Sequence, residues 1–397
     1  MHAVSPLTFN EFISHYTGRK KRAYYAAALD IKQLGYDEKW SQISMFIKAD
    51  KYPEGEILAK APRAIQFRNP RFNLLVGVWL KPLEEQFYEL EHEGMRCISK
   101  NMTPDQKASA LLDMWDNIDD PIALLADHSK FDSHVLIAHL KQCHKFYGRF
   151  CASKHLRWLL SQTLVNRGMT STGLRYKIRG TRMSGDYDTA LGNSLVNYIV
   201  LKSWLKKAGI KAYFLLDGDD SVIVCSRKDL AKLDFGHFAK MGFKTLIEQA
   251  DLPHLIEYCR SKVLVDARHM ARNWRRALSN YQSTIHYYPF RAMPRYLKGI
   301  ALGDLVLSRG VPILQYWAQG LANLPGSPIY DPDSEWKRKI TGETKPVYVT
   351  MRDRVDYHDQ WHVSPEEQLA FEALDVRAQL KASASESCME LSTLCDA

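Results

Sequence analysis

The sequence predicts an α+β fold, and three observations carry that expectation. Short apolar runs alternate with amphipathic patterns between about Pro121 and Leu264. The stretch AYFLLDGDDSVIV inside that region has an Asp-Gly pair between apolar, β-branched-rich arms, the pattern of a tight hairpin. Segments reading mainly as helix flank this strand-and-hairpin core on both sides.

In chain order, the first hundred residues mix helical patterns with a basic, proline-punctuated stretch from Lys48 to Arg71. PIALLAD, ending at Asp127, reads as a strand, and HVLIAHLKQCHKFY after it as a helix. TALGNSLVNYIVLKSWLKKAG is the clearest helix. Leu191, Leu195, Tyr198, Leu201 and Leu205 form its apolar stripe, and Gly209 marks its end. The hairpin follows, then KDLAKLDFGHFAKMG, which reads as helix-like. Beyond Asp266 the pattern is mainly helical and basic. The last stretch, from Lys381, is small and polar enough to be disordered.

The chain of 397 residues is long enough for one large or two to three ordinary domains. Its 46% hydrophobic and 25% charged residues are those of a globular protein. No apolar run approaches the ~20 residues that span a bilayer, and MHAVSPLTFNEF lacks the layout of a secretory signal. Seven cysteines without close CxxC pairs argue for a reducing compartment. Cys143, His144, Cys151 and His155 match no common zinc spacing. Lys and Arg number 54 against 45 Asp and Glu, a net charge of +9 that suits a polyanionic partner.

Four segments carry candidate chemistry. In LLDGDDSVIV, Asp217, Asp219 and Asp220 crowd one glycine; a divalent cation is the natural counter-charge, and a solvated Asp-Gly turn is the plain alternative. In DHSKFDS, Asp127 ends an apolar strand. If that strand pairs with the hairpin, Asp127 and Asp219 approach one site from two sides, and two Mg²⁺ ions ~4 Å apart would clamp a phosphoryl transfer. Asp132, five residues on, reads on spacing alone first as a carboxylate favoured at a helix N-terminus and only second as part of the site. In MSGDYDTALGNSLVN, Ser184-Gly185 permits an unusual loop, and Asp186 or Asp188 can cap the next helix. Thr189, Asn193 and Asn197 form one polar stripe at i, i+4 and i+8, suited to reading a sugar or backbone unless it is a solvated face. In AKAPRAIQFRNPRFN, Lys60, Arg63, Arg68 and Arg71 alternate with Ile65, Phe67 and Phe72, which suits phosphate contacts or a solvated basic loop.

In this order the four segments resemble the motif series of RNA-dependent RNA polymerases of positive-strand RNA viruses, and most closely the tombusvirus-like (carmovirus-like) group. KAPRAIQFRNPRFN is similar to that group's basic segment, with Phe67 where proline is usual. DHSKFDSHV and SGDYDTALGN are similar to its next two motifs, followed by GDD. IEYCRSKVL (256–264) and GIALGDLVLSRGVPILQYW (299–317) resemble later ones, so the likeness runs from about Lys48 to Trp317. The resemblance implies a right hand, with fingers over 1–110, a palm over 111–265 carrying an antiparallel sheet with the GDD hairpin and a fingers insertion near 145–180, and a helical thumb over 266–380. It implies Mg²⁺, with Mn²⁺ as a substitute, on Asp127, Asp219 and Asp220. Lys60, Arg63 and Arg68 would hold the NTP triphosphate. Asp132 and Asn193, with Ser184, Gly185 and Thr189, would recognise the ribose. Lys244 stands two residues earlier than the lysine that often serves as general acid in the family. The implied partners are an RNA template, the nascent strand and NTPs. The resemblance also implies primer-independent initiation. It places the chain in the host cytoplasm, recruited to membrane-associated replication sites through a partner or an upstream fusion. A reverse transcriptase would normally carry Tyr-x-Asp-Asp where this chain has Asp217-Gly218 before Asp219 and Asp220. A catalytically silent RNA-binding scaffold would be marked by loss of Asp127 or Asp219, and both are present.

Overall fold

A computed structural model describes residues 1–50, 55, 58–59, 61–282, 284, 286–330 and 342–374. Lys60 and the polar stretch after Lys381 therefore lie outside the described residues. In chain order the elements begin α1 (Phe9–Ser14), α2 (Gly18–Leu34), β1 (Ile43–Ile47), β2 (Ala64–Arg68), α3 (Pro70–Tyr88), β3 (Glu91–His92) and β4 (Met95–Arg96). There follow α4 (Pro104–Asp116), β5 (Pro121–His128), α5 (Phe131–His134), α6 (Ile137–Phe150), α7 (Lys154–Ser161), β6 (Val165–Thr170) and β7 (Arg175–Arg179). The middle of the chain holds α8 (Thr189–Ala208), β8 (Ala212–Asp217), β9 (Asp220–Ser226), α9 (His237–Lys240) and β10 (Thr245–Ala250). The last elements are β11 (Glu257–Tyr258), β12 (Ser261–Leu264), β13 (His269–Arg272), α10 (Trp274–Gln282), α11 (Met293–Leu307), α12 (Leu314–Ala322), α13 (Met351–Trp361) and α14 (Pro365–Glu372).

The chain divides into two units. The first comprises Met1–Lys100 with Ile118–Gln249, and the second Asn101–Asn117 with Ala250–Ala397. Both mix helix and strand.

The first unit contains two four-stranded sheets, ordered β2-β1-β6-β7 and β10-β5-β9-β8. In the second of these sheets every residue of Ala212–Leu216 and Ser221–Ser226 is buried. That is why β8 and β9 read as near-continuous apolar runs rather than alternating ones. Helix α8 is buried on almost every side, through Leu191, Leu195, Val196, Val200, Leu201, Trp204 and Leu205. It ends at Gly209, whose φ of +64° is the left-handed conformation that glycine adopts without a Cβ penalty. The segment expected to be helix-like after β9 is instead a 3-10 turn (Arg227–Lys232), a loop and the single turn of α9. The Asp234 carboxylate accepts from the Gly236 N–H (3.0 Å), a local bond that takes a backbone donor from a continuous helix and favours the break there.

In the second unit a small sheet, β11-β12-β13, packs with helices α10 to α14 around Leu264, Tyr281, Tyr296, Ile300, Leu314 and Tyr357. Its buried Asp304 accepts from Arg272 (2.8 Å) and the Tyr281 hydroxyl (2.6 Å), which satisfies a carboxylate that would otherwise be costly to bury.

Candidate active site

Strand β5 pairs antiparallel with β9, Ala126 facing Ser221, and one further step of that register brings Asp127 level with Asp220. Strand β9 also pairs with β8, and Asp217 faces Asp220 at the end of that ladder. The loop between β8 and β9 is thus the pair Gly218-Asp219, one residue on from the Asp-Gly pair read in the sequence. Gly218 has φ +68°, which a residue with a side chain resists. The turn is held from beneath by α8. Gly218 N–H donates to Ser194 Oγ (3.1 Å), and Asn197 Nδ2 donates to the carbonyls of Gly218 (3.1 Å) and Asp219 (3.2 Å). Asn197 also meets the His128 ring at 3.3 Å, and the other ring nitrogen lies 2.8 Å from Thr245 Oγ1. Asn197, the last member of the polar stripe, and its neighbour Ser194 are fully buried, so here the helix grips the protein's own hairpin backbone and does not present a solvated face.

Asp217 is ion-paired with Lys100. Asp219 is different: burial first, then the charges of Asp220, Asp132 and Asp127, push its carboxyl up to about 6. The field at the hairpin is that of crowded carboxylates, which a cation would relieve. Among the described residues no three His, Cys, Asp or Glu side chains already form a metal cage, the Cys143, His144, Cys151 and His155 set included.

A second constellation adjoins through Asp132, on α5. Asn193 Nδ2 donates to Asp132 Oδ1 (2.7 Å), and Arg182 Nε donates to Asn193 Oδ1 (3.3 Å). Arg182 in turn donates to Asp188 (2.7 Å), which also accepts from the Tyr147 hydroxyl (3.0 Å). The chain of bonds fixes which way the Asn193 amide faces, because Arg182 is donor-only. Burial pushes Asp132 up, partly offset by Asn193 and Arg182. Asp188 is buried too, yet Arg182, His144 and Tyr147 hold its carboxyl below the usual value. Asp188 occupies the N-cap of α8 without a side-chain cap bond, so the expected capping role goes unfilled and its carboxylate serves Arg182 instead. A Cβ on Gly192 would collide with the Arg182 guanidinium, and this is why glycine stands on that turn of α8.

The loop before α8 is fastened to β2. Gly185 N–H donates to the Gln66 carbonyl (2.7 Å), Gln66 N–H donates to Ser184 Oγ (3.0 Å), and Asn73 donates to the Gly185 carbonyl (3.0 Å). A side chain at Gly185 would come within 2.5 Å of Phe67 Cβ and 2.8 Å of its Cα. Thr189 Oγ1 donates back to the Met183 and Asp186 carbonyls, both at 2.9 Å. Arg68, only 1% exposed, pairs with Asp186 (2.6 Å) and also reaches the Ser41 carbonyl and Asn166. In this conformation its guanidinium ties β2 to the loop. Arg63, by contrast, is exposed and holds Asp50 through two bonds (2.5 and 2.6 Å). A cavity of about 560 Å³ lies against this loop, lined by Phe67, Arg68, Ser184, Gly185 and Asp186 together with Tyr16 and Tyr24. Lys244 is exposed, and its carbonyl accepts from Ser129 N–H (2.9 Å), two residues past Asp127.

The structure therefore brings Asp127, Asp219 and Asp220 to one sheet end, and Asp132 and Asn193 into direct contact. Sequence reading missed Ser194, His128, Arg182 and Tyr147. His128 and Ser194 stand inside the DHSKFDS and MSGDYDTALGNSLVN segments, and Arg182 directly before the second, but no spacing in the sequence marks any of the four as a support of the site.

The family described as "Viral RNA dependent RNA polymerase" matches residues 1–383, and the chain belongs to that family. Its relatives include the RNA-directed RNA polymerases of Tobacco necrosis virus (strain D), Carnation mottle virus and Tomato bushy stunt virus (strain Cherry). The first is 31% identical over 92% of this chain and 54% of the relative. The second is 29% identical over 92% and 50%, and the third 28% over 92% and 47%. The chain spans about half the length of the curated relatives it matches.

Proposed function

We propose that this chain is the polymerase portion of a positive-strand plant-virus replicase and joins NTPs to an RNA 3′-OH under the direction of an RNA template. The observation that carries the reading is the register of β5 on β9, which levels Asp127 with the Gly218-Asp219-Asp220 turn. The fit to a divalent cation rests on the all-oxygen donor set and on the upward push on Asp219, which comes first from desolvation and then from the neighbouring carboxylates. Asp127 and Asp219 would hold Mg²⁺, or Mn²⁺ in its place, with Asp220 in support. Bound there, the ions would supply charge neutralisation for the attacking 3′-oxygen and the departing pyrophosphate in a two-metal arrangement.

The chain's own residues do the positioning. Asp132, oriented by Asn193 and the Arg182–Asp188 pair, offers a carboxylate acceptor to the ribose 2′-OH. Ser184, Gly185 and Thr189 set the loop beside it. Arg63, with Lys60, would exchange its present carboxylate partner for the triphosphate. Arg68 would act through Asp186 by keeping that loop in place. Lys244 is the candidate proton donor to pyrophosphate. We assign fingers to 1–110 with an insertion near 145–180, palm to 111–265 and thumb to 266–380. Asn101–Asn117, which these ranges divide, clusters with the second unit. No helix among the described residues is long and apolar enough to cross a membrane. An upstream segment or a partner would bring the chain to cytoplasmic replication membranes, and initiation would need no primer.

The test is incorporation of labelled NTP on an RNA template with Mg²⁺, by the wild type and by Asp219→Asn. Template-length product from the wild type alone, abolished by chelation and restored by added Mg²⁺, supports the assignment. Equal product from both proteins refutes the role given to Asp219. Asn193→Ala is expected to keep polymerisation but lower the preference for NTP over dNTP at least tenfold, because the 2′-OH acceptor loses its orientation. Unchanged preference would remove Asn193 from sugar recognition.

A further inference from the structure

The sheet β2-β1-β6-β7 has one face that the motifs account for only along β2, through Ile65 and Phe67. Its registers pair Phe67 with Ser44 and Ile65 with Phe46, and Ser44 with Met169. On the far side Val165 faces Arg179, Arg167 faces Lys177, and Met169 faces Arg175. Because side chains alternate along a strand, all of these lie on one face. Every one is exposed except Ile65, which is partly so. The opposite face is buried at its centre, through Ile43, Arg68, Asn166 and Gly168, and open toward its rim at Ile47, Ala64 and Ile178.

Three features distinguish this face from an ordinary wetted sheet surface. The four strands contain no Asp or Glu, whereas solvated faces normally intersperse both signs. Their exposed cations, Arg167, Arg175, Lys177 and Arg179, line β6 and the edge strand β7. Three of them stand on alternate residues of β7, about 7 Å apart, the scale of successive phosphates on an extended strand. Beside them lies a strip of π and apolar surface, Phe46 at 44% exposure and Phe67 at 37%, their rings 5.7 Å apart and edge-on, with Met169 at 50%. A basic margin next to exposed aromatics is how sheet surfaces take single-stranded nucleic acid, with phosphates on the cations and bases on the rings.

We propose that this sheet face is a platform for single-stranded RNA, with Arg167, Arg175, Lys177 and Arg179 holding the backbone and Phe46 stacking a base. The proposal rests on the polymerase reading only in taking the strand to be RNA.

The test compares three proteins: the wild type, a variant with all four cations changed to Gln, and Phe46→Ala. All five side chains involved are exposed, so thermal melts should coincide. Binding of a fluorescent 20-mer of uridine is followed by anisotropy over a range of NaCl. Alongside it, single-nucleotide extension of a short primer–template is measured at saturating RNA. The four-cation variant should bind at least tenfold more weakly, with a slope of log affinity against log salt shallower by about 2–3, since each lost phosphate contact on a single strand removes about 0.7. Phe46→Ala should weaken binding at least fivefold and leave the slope unchanged, because a ring carries no charge. Extension at saturating RNA should keep its kcat in both. An unchanged slope in the four-cation variant overturns the proposal and leaves the face to solvent or to an acidic protein. If no protein extends a primer, yet the slopes differ as stated, the platform stands and the polymerase reading falls.

Discussion

Gly185 and Asn197 show how single atoms govern this site. At Gly185 the colliding atoms would be Phe67 Cβ and Cα and the Gln66 carbonyl, two of them backbone, which cannot swing aside as a flexible side chain would. Gly185→Ala is expected to cost about 1–3 kcal/mol through overpacking, lowering the melting temperature of the first unit by several degrees and loosening the loop from β2. A melt that matches the wild type would show that β2 yields easily. At Asn197 the amide satisfies two carbonyls of the hairpin turn at once. Asn197→Leu leaves both without that donor in a fully buried setting, at about 2–4 kcal/mol. Calorimetry should find the transition lowered by about 5–10 °C, and incorporation should fall even where the protein is still folded.

At the scale of elements, α6 carries an acid-sensitive group. His144 is pushed down to about 4, first by burial and then by the Arg182 charge, while Asp188 pulls the other way. Thr163 Oγ1 lies 3.4 Å from its ring nitrogen, and the Tyr147 ring lies 6.5 Å from its own, centroid to centroid. A histidine whose folded value lies below its unfolded ~6.5 resists protonation in the native state. Stability is therefore lost as pH falls from about 6.5 toward 4. The whole shift is worth about 3 kcal/mol at roughly 1.4 per pH unit, and the ring keeps some solvent. Urea unfolding at pH 7 and pH 5 should show His144→Gln losing about 1–2 kcal/mol less than the wild type between the two. Equal losses would place the acid sensitivity elsewhere. Elements were legible to different degrees for physical reasons. Strands β5, β8 and β9 announced themselves as apolar runs, and α8 by its leucine stripe and Gly209. The helix expected after β9 is broken where Asp234 accepts from the Gly236 N–H, a local competition that periodicity does not register.

For the whole molecule, the net charge of +9 is a total whose meaning depends on placement. Part of the positive charge is spent inside ion pairs, as at Arg68, Arg182 and Arg272. Part stands on the acid-free sheet of the first unit. If about four phosphates are held there, affinity for RNA of arbitrary sequence should drop roughly ten- to a hundredfold between 50 and 200 mM salt. A flat response would mean that the surplus charge is scattered. The sequence by itself determined the mixed α and β class, the family, the hairpin and the order of its acidic motifs, because these depend on local pattern and on spacing along the chain. Only the tertiary structure decided that Asp127 stands level with Asp220 and that Asn197 supports a backbone turn while Asn193 aims at Asp132. It alone showed Arg68 locked to Asp186 and the cations of β6 and β7 sharing a face with Phe46. Those facts depend on strand register and on burial between residues far apart in the chain, which no local pattern encodes.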